Sequence, residues 1–69
     1  MNKEKRIKSF EKLDVLAKSR NVSFYEISKE LDISRPVFSD WKAGRSMPKT
    51  DKLLKIANYF GVDVGYFIE

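Results

Sequence analysis

The spacing of apolar residues predicts an α-helix over residues 2 to 19. Apolar side chains recur there every three or four residues, at Ile7, Phe10, Leu13 and Ala17. Lys, Arg and Glu fill most of the positions between them, so one face of the helix is apolar and the other is charged. Asn2 and Ser9 are the two candidate N-caps, and Asn21 favours the left-handed conformation that ends a helix.

Two short helices joined by a tight corner are predicted next. Ser23 and Glu26 form the Ser-x-x-Glu pattern of a capping box, which indicates that a second helix begins after Ser23. Asp32 follows at the corner, since Asp tolerates turn conformations, though less well than Gly. Ser34 is the candidate N-cap of a third helix, which Gly44 ends. The third helix has its apolar side chains at Val37, Phe38 and Trp41.

The rest of the chain predicts two more helices. A fourth helix over residues 50 to 60 carries apolar residues at helical spacing, and Gly61 ends it. Asp63 is the candidate cap of a short fifth helix. The sequence shows no alternating strand pattern, repeat or linker. We therefore expect an all-α chain, with residues 1–69 forming one domain, a compact five-helix bundle.

Composition excludes several classes of site. The chain has 69 residues, no Cys and no His. It therefore lacks disulfides, thiolate metal sites and the commonest general base. We expect no catalytic residues, metal site, cofactor or small-molecule ligand. No apolar run approaches the roughly 20 residues of a membrane span, and the charged N-terminus does not resemble a secretory signal. These features predict a reduced, cytoplasmic protein with no membrane partner.

The net charge of +4 is concentrated near the N-terminus. Residues 1 to 20 carry seven basic and three acidic side chains, whereas the rest of the chain is close to neutral. Such an imbalance suits a polyanionic partner. The basic side chains of the first turn are Lys3, Lys5, Arg6 and Lys8. Two interpretations stay open: a basic arm over residues 1–8 that follows phosphates or the minor groove, or a solvated helical turn, which is slightly favoured.

Residues 22 to 48 resemble the helix-turn-helix of the lambda and 434 phage repressor and Cro-like family, the xenobiotic-response-element type. The matching positions are Val22, Ser23, Glu26, Ile27, Leu31, Ile33, Ser34, Phe38, Ser39, Trp41, Gly44 and Pro48. The resemblance continues through KLLKIANYFGV and DVGYFI. It implies the lambda-repressor-like DNA-binding fold, with the helix-turn-helix at about residues 23–42, in helices 2 and 3.

The chain departs from the family pattern at four positions. Asp32 replaces the usual turn Gly, and Ser28 the usual Ala. Lys42 replaces a common Glu. Phe24 stands where many members carry a Gln that touches DNA, so we expect its ring to pack on the helix surface or against deoxyribose.

The start of the third helix supplies the candidate base contacts, because side chains there project away from the core. They are Arg35, Pro36, Val37, Ser39 and Asp40. Arg35 suits paired hydrogen bonds with guanine O6 and N7, and a phosphate contact is the alternative. Pro36 and Val37 suit a thymine methyl group. Asp40 would accept from cytosine N4 or repel phosphate. The resemblance implies base contacts at Arg35, Pro36 and Asp40.

Other polar side chains are candidates for phosphate contacts. They are Ser23, Ser34, Lys42, Arg45 and Lys49. Ser23 lies at a helix N-terminus, where backbone N–H groups favour anions. Trp41 is interpreted as a core residue. Tyr66, Phe67 and Ile68 are predicted to lie partly in the core and partly in a dimer surface.

The expected function is that of a bacterial, phage or prophage transcription regulator. It would bind double-stranded DNA sequence-specifically, as a repressor or Cro-type homodimer on a palindromic operator, pairing in solution or only on DNA. One alternative keeps the fold in an antitoxin-type regulator, or in a DNA-binding piece of a longer repressor, because the chain stops directly after the fifth helix. The other is a helical protein-interaction module without DNA binding.

Overall fold

The computed structural model describes residues 2–68, and this part of the chain consists of five α-helices without a strand. Their bounds are α1 Lys3–Ser19, α2 Phe24–Leu31, α3 Arg35–Lys42, α4 Thr50–Phe60 and α5 Gly65–Ile68. The all-α prediction of five helices is confirmed. No helix within residues 2–68 has both the length and the apolar character needed to cross a membrane.

Local signals in the sequence account for most helix ends. The side chain of Asn2 accepts a hydrogen bond from the backbone N–H of Lys5 at 2.8 Å and so caps α1, whereas Ser9 is buried within that helix. Both hydrogen bonds of the predicted capping box at the start of α2 are present. Four residues after helices have positive φ: Asn21, Asp32, Gly44 and Gly61.

The core lies between α1 and the other helices, with Trp41 fully buried near its centre. The indole ring of Trp41 makes edge contacts with Phe10 of α1 and Phe67 of α5, at centroid distances of 5.7 and 5.9 Å. Phe38, one turn earlier in α3, is also buried. Because Phe38 and Trp41 fix one side of α3 in the core, the opposite side of this helix faces solvent.

Hydrogen bonds to backbone carbonyls fasten α1 to the C-terminal helices. The Ser9 hydroxyl donates to the carbonyl of Phe67, and the Lys12 ammonium donates to that of Tyr66 at 3.1 Å. At the other end of α1, the Arg20 guanidinium donates to the Phe60 carbonyl at 2.9 Å, next to the end of α4. The middle and the C-terminal end of α1 are therefore held by residues 40 to 58 positions later in the sequence.

Ser28 and Asp32, two of the departures from the family pattern, lie in and beside the corner between α2 and α3. Asp32 has φ 54° and ψ 48°, the left-handed conformation. The Ser28 hydroxyl donates to the carbonyl of Ile33, and the Ile33 N–H donates to the Ser28 carbonyl at 3.0 Å. Ser28 thus adds a hydrogen bond that Ala cannot make, while Asp32 adopts a conformation that Gly reaches with less strain.

Asp32→Gly is expected to raise the free energy of unfolding by up to about 1 kcal/mol, because Gly avoids the steric penalty of a left-handed residue but loses more chain entropy on folding. Asp32→Ala keeps the β-carbon without the local hydrogen bonding of Asp and should lower stability. Urea unfolding monitored by circular dichroism measures the free energy of unfolding, which is expected to be highest for Gly, intermediate for Asp and lowest for Ala. An Ala variant more stable than the Gly variant would contradict the assignment of strain.

Candidate nucleic-acid interface

The candidate base contacts lie on the solvent side of α3, although they are not equally accessible. Arg35, Pro36 and Ser39 are exposed, and Asp40 is half-buried. Val37 is partly buried against the core, so it has the least freedom to reach a ligand. The accessible face is thus formed by the first two turns of α3, and Arg35 is its longest side chain.

Arg35 contacts the exposed ring of Tyr25 in α2. The guanidinium carbon lies 5.8 Å from the ring centroid, and the Lys29 ammonium lies 5.3 Å from the same centroid. Both distances are within the range of cation–π attraction. Sequence reasoning did not identify Tyr25, because an exposed aromatic residue on a helix carries no pattern that tells which side chain it meets.

Asp40 and Arg45, predicted to touch a base and a phosphate respectively, form an ion pair. The Arg45 Nε–H donates to Asp40 Oδ1 at 2.9 Å, and the two side chains are 63% and 44% exposed. The Arg45 N–H also donates to the Asp40 carbonyl, at 2.8 Å. Exposed ion pairs contribute about 0–1 kcal/mol, so a DNA contact can replace this one at little cost. Without such a contact, Arg45 neutralises the Asp40 carboxylate on this face.

Two shallow grooves flank α3. The first, here the α1 groove, has a volume of ≈ 280 Å³ and is lined by Phe10, Asp14, Phe24, Arg35, Phe38, Ser39 and Lys42. The second, the loop groove, has a volume of ≈ 360 Å³ and is lined by Val37, Asp40, Ser46, Met47, Pro48, Lys49, Asp51 and Lys52. The structure therefore separates two of the predicted phosphate contacts, with Lys42 on one side of α3 and Lys49 on the other. A helix that lies in the major groove has a sugar–phosphate strand on each side.

Phe24 closes the floor of the α1 groove. Its ring stacks on Phe10 at a centroid distance of 5.2 Å and lies 5.6 Å from the ring of Phe38. Phe24 thus packs on the helix surface, which is one of the two arrangements expected for it. The side chain is consequently held by two aromatic neighbours and does not project as a polar Gln would.

The two serines at helix starts differ in how their hydroxyls are used. Ser23 Oγ accepts from the Glu26 N–H at 3.1 Å, which leaves its hydroxyl proton for a phosphate, but the Glu26 carboxylate accepts from the Ser23 N–H at 3.2 Å. That backbone donor is therefore already used. Ser34 occupies the N-cap position of α3 without a side-chain cap hydrogen bond. Pro36, two residues later, has no N–H to donate, so the Ser34 hydroxyl has one fewer partner within its own helix.

The basic residues near the N-terminus are helical from Lys3 onward, so residues 3 to 8 do not form an extended arm. The Arg6 Nε–H donates to the carbonyl of Gly44 at 2.7 Å, which ties the first turn of α1 to the end of α3. Lys8 pairs with Glu4 at 3.5 Å on the exposed side. The arm interpretation also includes Met1, which lies outside the described residues. The structural role of Arg6 was missed, because its partner is 38 residues away.

The predicted dimer surface requires one correction. Phe67 is fully buried and contacts Trp41, so it cannot contribute to a surface. Tyr66 and Ile68 are 37% and 50% exposed. Successive residues of a helix are turned by about 100°, so the neighbours of an inward-facing residue point away from the core. The sequence contained this periodicity, but four helical residues were too few to fix its phase.

The comparison with protein families agrees with this geometry. The family model of the Cro/C1-type HTH DNA-binding domain matches residues 12–69, which is most of the chain. No curated protein and no solved structure gives a significant match. The matched region contains α2, α3 and the loop groove, and it confirms the resemblance seen in the sequence. The chain therefore belongs to the Cro/C1-type helix-turn-helix family of DNA-binding domains, which regulate transcription.

Proposed function

We propose that this protein recognises a specific operator in double-stranded DNA and regulates transcription as a repressor or Cro-type protein. One observation carries the proposal: Arg35 is the longest side chain on the exposed face of α3, and cationic residues flank this helix on both sides. This arrangement suits a helix that enters the major groove with its first turns against base edges. In a bacterium or prophage, the site of action is the cytoplasm.

The proposed contacts divide into base readers and phosphate ligands. Arg35 donates two hydrogen bonds to a guanine, the commonest specific contact in the major groove. Asp40 accepts from a cytosine amino group once Arg45 has moved from the carboxylate to a phosphate. Lys42 and Lys49 bind phosphates on opposite sides of α3. The roles of Pro36, Ser39, Ser23 and Ser34 remain as predicted from the sequence, and Val37 would contribute only an apolar edge.

A homodimer on a palindromic site completes the proposal. One α3 covers too few base pairs to be selective in a genome, so two copies should place their α3 helices about 34 Å apart, one turn of DNA. Tyr66 and Ile68 are the exposed apolar residues of α5, and Leu54 of α4 is 44% exposed. Three exposed side chains offer little apolar area, so pairing that occurs only on DNA is consistent with them.

Selection of binding sites from random double-stranded DNA tests the proposal directly. We expect two inverted half-sites with centres 10–10.5 base pairs apart. A single half-site bound by one chain without cooperativity would exclude the paired arrangement. Binding that resists salt and shows no preferred sequence would instead favour a protein-interaction module, because phosphate contacts weaken steeply as salt rises. An antitoxin-type regulator or a domain of a longer repressor would select the same kind of DNA site, and it would differ only in its protein partner.

Arg35→Ala should weaken binding to the selected site by about 1–3 kcal/mol and relax the preference at one base pair of each half-site. Lys49→Ala is the matched control. If Lys49 contacts a phosphate, its loss should weaken binding to all DNA sequences nearly equally. It should also reduce the slope of log affinity against log salt concentration by about one. Fluorescence anisotropy at several salt concentrations measures both effects. Equal losses for Arg35→Ala on selected and random DNA would make Arg35 a phosphate ligand.

A further inference from the structure

Tyr25 is a large aromatic residue with 53% of its surface exposed, and no part of the proposed contact set uses it. Two cations contact its ring, Lys29 one turn further along α2 and Arg35 at the start of α3. Tyr25 and Arg35 belong to different helices of the helix-turn-helix. Their contact therefore connects the residue proposed to read a base with the helix that precedes it.

Within residues 2–68, the Arg35 side chain makes no hydrogen bond or ion pair, and Arg35 also lines the α1 groove. The ring of Tyr25 is thus the contact that restrains its guanidinium. Arg45 is the contrasting case, since its guanidinium is held by the carboxylate of Asp40. An aromatic restraint acts through the ring face and does not consume N–H donors, whereas the Asp40 carboxylate occupies one of those of Arg45.

We propose that Tyr25 is a positioning residue that orients Arg35 for base recognition and so contributes to specificity without touching a base. The proposal rests on the proposed function of Arg35. Arginine has several rotatable bonds, and ordering them on binding weakens affinity. The Tyr25 ring orders the side chain before DNA arrives and leaves its donors free for the guanine edge. The contribution of Tyr25 to sequence preference is therefore confined to the base pair that Arg35 reads, and the preference at other base pairs should not change.

The contact itself is tested in the free protein. In the NMR spectrum, the Arg35 side-chain protons should show a ring-current shift that is lost in Tyr25→Leu and retained in Tyr25→Phe. Both variants change an exposed side chain, so they should fold, and circular dichroism checks this. If the wild-type spectrum lacks the shift, or if Tyr25→Leu leaves it unchanged, the positioning role is overturned whatever the DNA experiments show.

The consequence is tested by comparing affinity for the selected site with affinity for the same site altered at the base pair read by Arg35. Tyr25→Leu should reduce this ratio about two- to fivefold, the effect of an exposed cation–π contact, and Tyr25→Phe should preserve it. In an Arg35→Ala background, Tyr25→Leu should change the ratio no further. An unchanged ratio in Tyr25→Leu overturns the proposal.

Two other outcomes identify which hypothesis fails. Equal losses for Tyr25→Leu and Tyr25→Phe on every DNA sequence would show that the Tyr25 hydroxyl binds phosphate, which overturns the positioning role but leaves the operator-binding function intact. A wild-type protein with the ring-current shift but no sequence preference would overturn the proposed function, and the role of Tyr25 in specificity with it.

Discussion

Trp41→Ala is expected to remove most of the free energy of unfolding of the protein at 25 °C. The indole is fully buried and contacts α1 through Phe10 and α5 through Phe67. Truncating a buried Trp to Ala costs about 3–5 kcal/mol, because apolar contacts are lost and a cavity remains. The total stability of small domains is about 5–15 kcal/mol, and a domain of this size belongs near the lower limit. Circular dichroism and urea titration measure the loss.

Trp41→Phe is the matched control for this prediction. It keeps an aromatic ring between Phe10 and Phe67 and removes the indole N–H, which has no hydrogen-bond partner among residues 2–68. Losing a buried polar group without a partner is favourable and offsets part of the lost volume. The loss should be less than half that of the Ala variant. A Trp41→Ala protein that folds with wild-type stability and fails only to bind DNA would contradict the core role.

Gly44→Ala is the second large effect, an expected loss of about 2–4 kcal/mol from left-handed strain together with overpacking. Gly44 has φ 77°, and a β-carbon there would lie 2.7 Å from Lys3 Cγ and 3.0 Å from the backbone oxygen of Lys3. The Lys3 side chain can move, but its carbonyl belongs to α1 and cannot move alone. The change should also weaken the Arg6 hydrogen bond to the Gly44 carbonyl. Thermal and urea unfolding give the magnitude.

Gly61→Ala separates the two causes. Gly61 has a similar φ of 69°, but a β-carbon on it would meet nothing within 4 Å. Only the left-handed strain applies, so the expected loss is about 1–2 kcal/mol. If the two variants lose equal stability, the close approach of α1 to Gly44 is not a significant constraint.

Helix positions could be predicted from the sequence because the signals that set them are local. The capping box at Ser23 and the left-handed residues Asn21 and Gly61 each act within a few positions of a helix end. The start of α3 was predicted correctly at Ser34, but its missing side-chain cap was not. The preference of serine for the N-cap position predicts where α3 begins. Whether its hydroxyl accepts a hydrogen bond depends on which backbone N–H groups of the first turn are present.

The details of the candidate interface were less predictable, because they depend on side chains that meet across the fold. Arg35 and Asp40 were identified as exposed polar residues of α3, but their neighbours Tyr25 and Arg45 were not paired with them. Helical periodicity shows which face of a helix is exposed, and it carries no information about the angle at which another helix crosses it. Those pairs decide which charges on α3 are free.

The attachment of α1 to α5 has a consequence for biosynthesis. Ser9 and Lys12 hydrogen-bond to Phe67 and Tyr66, and Phe67 packs on Trp41. A ribosome completes α1 long before it makes these partners. The growing polypeptide can therefore cover the apolar face of α1 only in part before Phe67 is made, through Phe24 and Trp41, and apolar surface left exposed at that stage promotes aggregation. Translation arrested before Phe67 should yield nascent chains that are more sensitive to protease than the finished protein, because Trp41 of α3 then lacks one of its aromatic neighbours.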